Sequence, residues 1–157
     1  MISQKILVIG SGAREHSIVK AIDRSLHQND IFCIGTNIKP GIAELCKEFI
    51  VENFNNVNTV SKYATDNNIS MAIIGPENPL QDGLADALWA SGVPVIGPKK
   101  NLAKIETSKA FTRNLLKKYN IPGGPKYKVF KSIEGVQSFL KELGENYVVK
   151  FDGLAGG

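Results

Sequence analysis

An α/β fold built on a doubly wound parallel sheet is predicted by three features of this 157-residue chain. Four apolar runs each close on Ile-Gly: "ILVIG" (6–10), "IFCIG" (31–35), "AIIG" (72–75) and "PVIG" (94–97). Continuous Ile- and Val-rich runs of this length suit strands covered on both faces, as in a parallel sheet. Helical patterns separate the runs, and strands alternating with helices argue for βαβ units. The glycines mark strand ends, so the loops beyond them gather along one edge. Open α/β sheets bind ligands at that edge. The candidate loops are Ser11 to His16, Thr36 to Gly41, Pro76 to Pro79 and Pro98 to Lys100.

Taken in order, "ILVIG" is the first strand. Ile18, Val19, Ile22 and Leu26 then recur near the 3.6-residue period of a helix. "IFCIG" is the second strand, and the shorter "EFIV" (48–51) is a further strand. "AIIG" leads into Leu80, Leu84, Leu88 and Trp89, again at helical spacing. After residue 98 the texture changes. "SKAFTRNLLKKYNIP" has Ser108 as N-cap, an apolar face of Phe111, Leu115, Leu116 and Tyr119, and a stop before Pro122. "YKVF" (127–130) is predicted as a strand. "SIEGVQSFLKELG" is predicted as a helix with Ile133, Val136, Phe139, Leu140 and Leu143 apolar and Gly144 as its C-cap. "NYVVKF" (146–151) is a last strand before "DGLAGG". A chain that ends on a glycine-rich turn after a buried strand is expected to be cut inside a longer domain.

Composition narrows the function classes. With 43% apolar and 22% charged residues the chain is expected to be soluble and globular. No apolar stretch approaches the ~20 residues that span a bilayer, and the N-terminus reads as a strand, not a signal peptide. Nineteen Lys and Arg against 15 Asp and Glu give a net charge of +4, which suits an anionic small ligand. Lys117, Lys118, Lys126, Lys128 and Lys131 form the densest basic cluster. They span a helix end and a loop with no concentrated stripe, which argues against nucleic acid. Cys33 and Cys46 fit no metal-ligand spacing and are expected as reduced, buried thiols of a cytoplasmic protein.

"GSGAREH" (10–16) carries the first chemistry. A dinucleotide fingerprint needs a third glycine at position 15, where Glu15 stands. It also needs an acid after the second strand, where only Thr36 and Asn37 occur. Gly10 and Gly12 let the backbone approach a small anion at a helix start, and Arg14 adds a forked donor pair. Glu15 repels a pyrophosphate but receives an amine or hydroxyl. The competing reading is a tight turn with Arg14 and Glu15 paired on the surface. Glu77, just past "AIIG", either binds a polar ligand or caps the next helix. Lys150, inside the apolar "YVVKF", suits a strand lysine on nucleotide phosphates beneath a glycine loop, or an edge lysine that discourages aggregation. Lys109 lies in the first turn of its helix, where a cation opposes the dipole.

"KILVIGSGAREHSI", "AIIGPENPLQDGLADAL", "IGPKKNLAKIETSKAFTRNLLKKYNIP" and "VVKFDGLAGG" together resemble the phosphoribosylamine–glycine ligases, also called glycinamide ribonucleotide synthetases. These are ATP-grasp enzymes of purine synthesis, and the segments run in the family's order. The resemblance implies a Rossmann-like pre-ATP-grasp domain over 1–101 and a truncated start of an ATP-grasp domain over 102–157. It implies that Lys109 and Lys150 contact ATP phosphates, with Lys150 in the catalytic role, and that Gly153, Gly156 and Gly157 open the phosphate lid. Gly10, Gly12, Arg14, Glu15 and Glu77 match the phosphoribosylamine side. Ala13 stands where the family usually has a second glycine, and Phe151 where it commonly has alanine.

By that analogy ATP drives the ligation of glycine to phosphoribosylamine through a glycyl phosphate, with Mg²⁺ ligands expected beyond this chain. A cytoplasmic monomer with small-molecule substrates is expected, binding neither nucleic acid nor membrane. The chain by itself is expected to be inactive. The alternatives are a non-catalytic ribose-phosphate-binding fragment, another ATP-grasp carboxylate–amine ligase and, more remotely, a dehydrogenase.

Overall fold

The computed structural model describes residues 3–155. The chain divides into two compact units, one ending at Ala103 and the other beginning at Lys104.

The first unit is a five-stranded, wholly parallel sheet. Its elements run β1 (Gln4–Ile9), α1 (Ala13–Asp23), β2 (Asn29–Gly35), α2 (Pro40–Ala43), β3 (Glu48–Val51), α3 (Val57–Asp66), β4 (Met71–Ile74), α4 (Glu77–Asp82), α5 (Leu84–Ala90) and β5 (Val95–Ile96). The strand order is β3-β2-β1-β4-β5. The order in which strands are added reverses at β1, with β2 and β3 on one side and β4 and β5 on the other. Because every pair is parallel, Gly10, Gly35, Gly75 and Gly97 all follow or close strands at one edge. The strand tips line up as the glycine-ended runs predict.

Alternation along each strand feeds two cores. Leu7, Ile9, Phe32, Ile34 and Ile74 pack with Val60 and Ala64 of α3, Leu80 of α4, and Leu84 and Leu88 of α5. Val8, Ile31 and Cys33 pack on the opposite face with Val19 of α1 and Ile42 of α2. Leu7, Val8 and Ile9 are wholly buried. Three such side chains in succession contribute about 1.5–3 kcal/mol each on burial, which is why β1 has no polar face.

Two helical expectations change in detail. Leu26 is fully exposed beyond the end of α1, because the helix stops at Asp23. The periodic stretch through Leu80, Leu84 and Leu88 is two helices, broken where Gly83 takes φ +94°. Trp89 is 44% exposed and not part of the buried face. The spacing persisted through the break because both helices lean on the same sheet.

The chain continues through α6 (Lys100–Thr107), and the second unit holds α7 (Lys109–Lys118) and α8 (Val136–Leu143). Ser108 caps α7, its Oγ accepting from the Phe111 N–H at 3.0 Å. α8 is shorter than its sequence pattern: Gly135 at φ +74° starts it, and Ile133 lies outside, 91% exposed. Gly144 closes the helix, its N–H bonded to the Leu140 carbonyl.

The predicted strands 127–130 and 146–151 are corrected. Neither has ladder partners among the described residues. A strand exists only through the backbone bonds of its neighbour, so hydrophobic run and β-propensity alone do not produce one. Val148, Val149 and Phe151 are accordingly exposed. Among the described residues no helix is long and apolar enough to cross a membrane.

Candidate functional site

Two turns of the first unit meet at the sheet edge, one after β1 and one after β4. Gly10 leaves β1 at φ +107°, a conformation that favours glycine. Gly12 then caps α1, and its N–H donates to Glu15 Oε2 at 2.6 Å. The carboxylate thus bonds an otherwise orphaned amide of its own helix start, where the dipole favours negative charge.

Glu15 is nevertheless unusual for a capping residue, because only 5% of it is exposed. It lies among three glycines. A Cβ on Gly10 would come within 2.9 Å of Glu15 Cδ, one on Gly12 within 2.9 Å of Oε2, and one on Gly75 within 2.5 Å of Cδ. The close approach of Gly75 to Glu15 gives this second turn its need for glycine. Arg14 makes the complementary link, donating from Nη1 to the Gly75 carbonyl at 2.5 Å. Its Nε is 4.0 Å from Glu15 Oε1, and its side chain is 64% exposed. Arg14 and Glu15 are therefore not a surface pair. Arg14 spans 61 residues to bond the second turn, while Glu15, bonded within its own turn, packs against Gly75.

Further along the edge, Gly35 makes room for Ser11, whose Oγ would be 2.7 Å from an added Cβ. His16 lies over Gly41, with Nε2 3.0 Å from where its Cβ would be. An open cleft of ≈ 300 Å³ lies between Ser11–Ala13 and His16 on one side and Lys39–Ile42 on the other. It combines the amide-rich start of α1 with one ammonium and one imidazole, a set suited to a small anion. Glu77 is half-buried in the first turn of α4, where its charge suits the helix dipole. Beneath the turn, Cys33 donates from Sγ to the Gly10 carbonyl at 3.4 Å. Its hydrogen bond with Cys46 and its burial hold the Cys33 thiol far above the usual thiol range. Both cysteines are free, but Cys46 is only partly buried, contrary to expectation, because it sits in the short loop between α2 and β3.

In the second unit, Lys109 Nζ donates to the Gly153 carbonyl at 2.6 Å. Asp152 accepts from the Ala110 N–H at 3.0 Å and from Ser108 Oγ at 3.2 Å. A carboxylate thereby joins the same helix end as Lys109 and offsets its unfavourable position. Lys150 is exposed and lies in no strand, so the expected half-buried strand lysine is corrected. Without a ladder there is no pleat to bury its stem. Gly156 and Gly157 lie outside the described residues.

Sequence reasoning singled out the residues of both regions, the loops carrying His16 and Lys39 included, but missed Asp152, Gly75 as the partner of Glu15, and the joining of those two loops as walls of one cleft. "VVKFDG" and "IIGPE" contain the first two. Nothing local in either stretch signals a partner 42 or 60 residues away.

Two family models match in tandem. "Phosphoribosylglycinamide synthetase, N domain" covers residues 4–106, and "Phosphoribosylglycinamide synthetase, ATP-grasp (A) domain" covers 107–157. The chain belongs to the phosphoribosylglycinamide synthetase family. It is 47% identical over 153 residues to the phosphoribosylamine–glycine ligase of Methanosarcina barkeri, covering 98% of this chain and 35% of that protein. The namesake enzyme of Methanopyrus kandleri is 40% identical over 154 residues, with 98% and 34% covered. The chain therefore spans about a third of the length of the curated relatives it matches.

Solved structures carry the fold. The phosphoribosylglycinamide synthetase of Anaerococcus prevotii matches with a TM-score of 0.67 at 17% identity, over 90% of this chain and 35% of that one. An N5-carboxyaminoimidazole synthetase from Staphylococcus aureus complexed with ADP matches at 0.74 and 12%, over 98% and 40%. Both likenesses are to the fold of the chain.

Proposed function

We propose that this chain forms the substrate-binding domain and the opening of the ATP-grasp domain of a phosphoribosylamine–glycine ligase of purine biosynthesis. Residues 1–101 take phosphoribosylamine, and residues 102–157 contribute to holding ATP. The observation that carries this reading is the meeting of the "GSGARE" and "GPE" turns at the sheet edge, bonded by Arg14 and packed together around Glu15. The phosphate of the ribosyl amine binds at the start of α1 beside Gly10 and Gly12, whose own N–H groups are engaged by the Ile34 carbonyl and Glu15, and at the free face of the Arg14 guanidinium. Glu77 receives a polar group of the same substrate. Lys109 and Lys150 neutralise ATP phosphates, Lys150 in the catalytic role, and Gly153 with Gly156 and Gly157 begins the phosphate lid.

In the reaction the P–O bond between the γ-phosphorus and ADP breaks as a glycine carboxylate oxygen bonds to that phosphorus. The ribosyl amine nitrogen then attacks the acyl carbon. The acyl C–O bond breaks, inorganic phosphate leaves, and the nitrogen loses a proton. Charge neutralisation, not a protein nucleophile, is the main requirement. Mg²⁺ would add to that neutralisation. Among the described residues, however, no group of three or more His, Cys, Asp or Glu could hold a metal ion. These residues by themselves do not fit the metal. A cytoplasmic setting accords with two free thiols.

The test is Lys150→Ala in a ligase of the relatives' full length carrying this sequence, assayed for ATP-dependent glycinamide ribonucleotide. Loss of product formation is expected, and near-normal turnover refutes the role. Calorimetry of the 157-residue chain with ribose 5-phosphate and with ATP separates the two halves of the proposal. Binding of ribose 5-phosphate alone is expected.

A further inference from the structure

We propose that Asp152 is a positioning residue that sets Lys109 and the start of the glycine-rich segment in place for the nucleotide, an inference that rests on the reading of Lys109 as an ATP-phosphate contact. Three links, each spanning 42–44 residues of chain, converge on the first turn of α7. The Ala110 N–H donates to Asp152 Oδ1 at 3.0 Å, Ser108 Oγ lies 3.2 Å from both carboxylate oxygens, and Lys109 Nζ donates to the Gly153 carbonyl at 2.6 Å.

Ser108 works in both directions. Its hydroxyl proton points to Asp152, while its lone pair accepts from the Phe111 N–H at 3.0 Å. The helix start therefore holds the carboxylate through one backbone amide directly and a second through the serine. A hydroxyl has a single proton to give, and the Asp152 carboxylate takes it.

The consequence falls on Lys109. An ammonium has three donors, and the Gly153 carbonyl engages one of them. That bond fixes the direction of the side chain and leaves two donors for phosphate oxygens. It holds only while Gly153 stays beside α7, and the residue that fastens Gly153 there is its neighbour Asp152. Gly153 itself takes φ +154°, a conformation that side chains rarely adopt. The Asp152 charge, which would repel a nucleotide if bare, is compensated by the amide, the hydroxyl and the helix dipole. A residue serving only as a helix cap would affect stability alone. One that orients Lys109 affects ATP selectively.

The experiment compares Asp152→Ala, Asp152→Asn, Ser108→Ala and Lys109→Ala in a ligase of the relatives' full length, measuring KM separately for ATP, glycine and phosphoribosylamine alongside the thermal midpoint. Asp152→Ala is expected to raise KM for ATP roughly ten-fold, as one charge-assisted hydrogen bond implies, with the other two KM values within about two-fold. Asp152→Asn keeps an oxygen for the Ala110 N–H and is expected to restore most of the affinity. Ser108→Ala gives a smaller ATP-selective rise, and keeps the question open to test should Asp152→Ala fail to fold. An unchanged KM for ATP in folded Asp152 and Ser108 variants overturns the proposal, as does an equal rise for all three substrates. If Lys109→Ala impairs ATP use while Asp152→Ala does not, positioning alone is wrong. If Lys109→Ala leaves KM for ATP unchanged, the reading of the nucleotide site fails and the positioning role falls with it.

Discussion

Replacing Gly75 with alanine tests whether the buried Glu15 side chain is what requires glycine at the second turn. The backbone at Gly75 is not in the left-handed region, so alanine brings no conformational strain there. The obstacle is spatial: the new Cβ would overlap Glu15 Oε1 and lie 2.5 Å from Cδ and 2.6 Å from Cγ. A flexible carboxylate would normally swing aside. Here its Oε2 is held by the Gly12 N–H at 2.6 Å, and the Gly10 backbone closes the other side. Accommodating the methyl group therefore means expelling Glu15 and breaking a hydrogen bond to a charged group, which costs about 1.5–3 kcal/mol. In a chain of this size about 2 kcal/mol lowers the thermal midpoint by about 4–8 °C. The decisive assay is a double-mutant cycle by chemical denaturation. With Glu15→Ala already in place the overlap is gone, and Gly75→Ala should then cost less than about 0.5 kcal/mol, leaving a coupling near 2 kcal/mol. Additive costs would refute the reasoning, because Gly75 would then matter for some reason other than Glu15.

Further outcomes follow from the same structure. Asn56 Oδ1 accepts from the Thr59 N–H at 3.3 Å and caps α3. Asn56→Ala should lower stability by about 1 kcal/mol in urea unfolding, and a change near zero would discount the cap. In thiol titration with an aromatic disulfide reagent near pH 8, Cys46 should react and Cys33 should not, until denaturant exposes both. The Cys33 thiol is held in its protonated form by Cys46 and burial, so rapid reaction of two thiols in the native state would contradict that pairing. Tyr63 donates to Glu48 Oε2 at 2.8 Å, and burial followed by this contact pushes its phenol above the ordinary range. A raised folded value means its contribution is complete below about pH 10 and is lost as pH climbs beyond it. Tyr63→Phe should flatten that alkaline decline, measured as denaturation midpoint against pH; an identical slope would show that other groups cause it.

Much of the first unit was legible because its signals are local. Each Ile-Gly boundary combines a continuous apolar run with a turn residue, and a parallel sheet has no exposed face to dilute that pattern. The glycine-ended tips followed from the same runs. The break at Gly83 was harder to see, since α4 and α5 keep their leucines on one side and the helical spacing survives the interruption. The strands expected at 127–130 and 146–151 failed for a different reason. Their propensity is strong, but a ladder partner cannot be read from the segment itself.

For the site, the sequence alone determined which residue types stand at the sheet edge: the glycines, Arg14, Glu15 and Glu77, with Lys109 and Ser108 at a helix start. Position relative to a strand end or a helix cap depends on neighbours within a few residues, and that information is local. Tertiary structure alone decided that Glu15 is buried against Gly75, that Arg14 reaches the Gly75 carbonyl, and that Asp152 closes on the first turn of α7. Those contacts join residues 42 to 61 positions apart. Only a folded backbone brings such groups within bonding distance, because hydrogen bonds and steric exclusion act over a few ångströms whatever the separation along the chain.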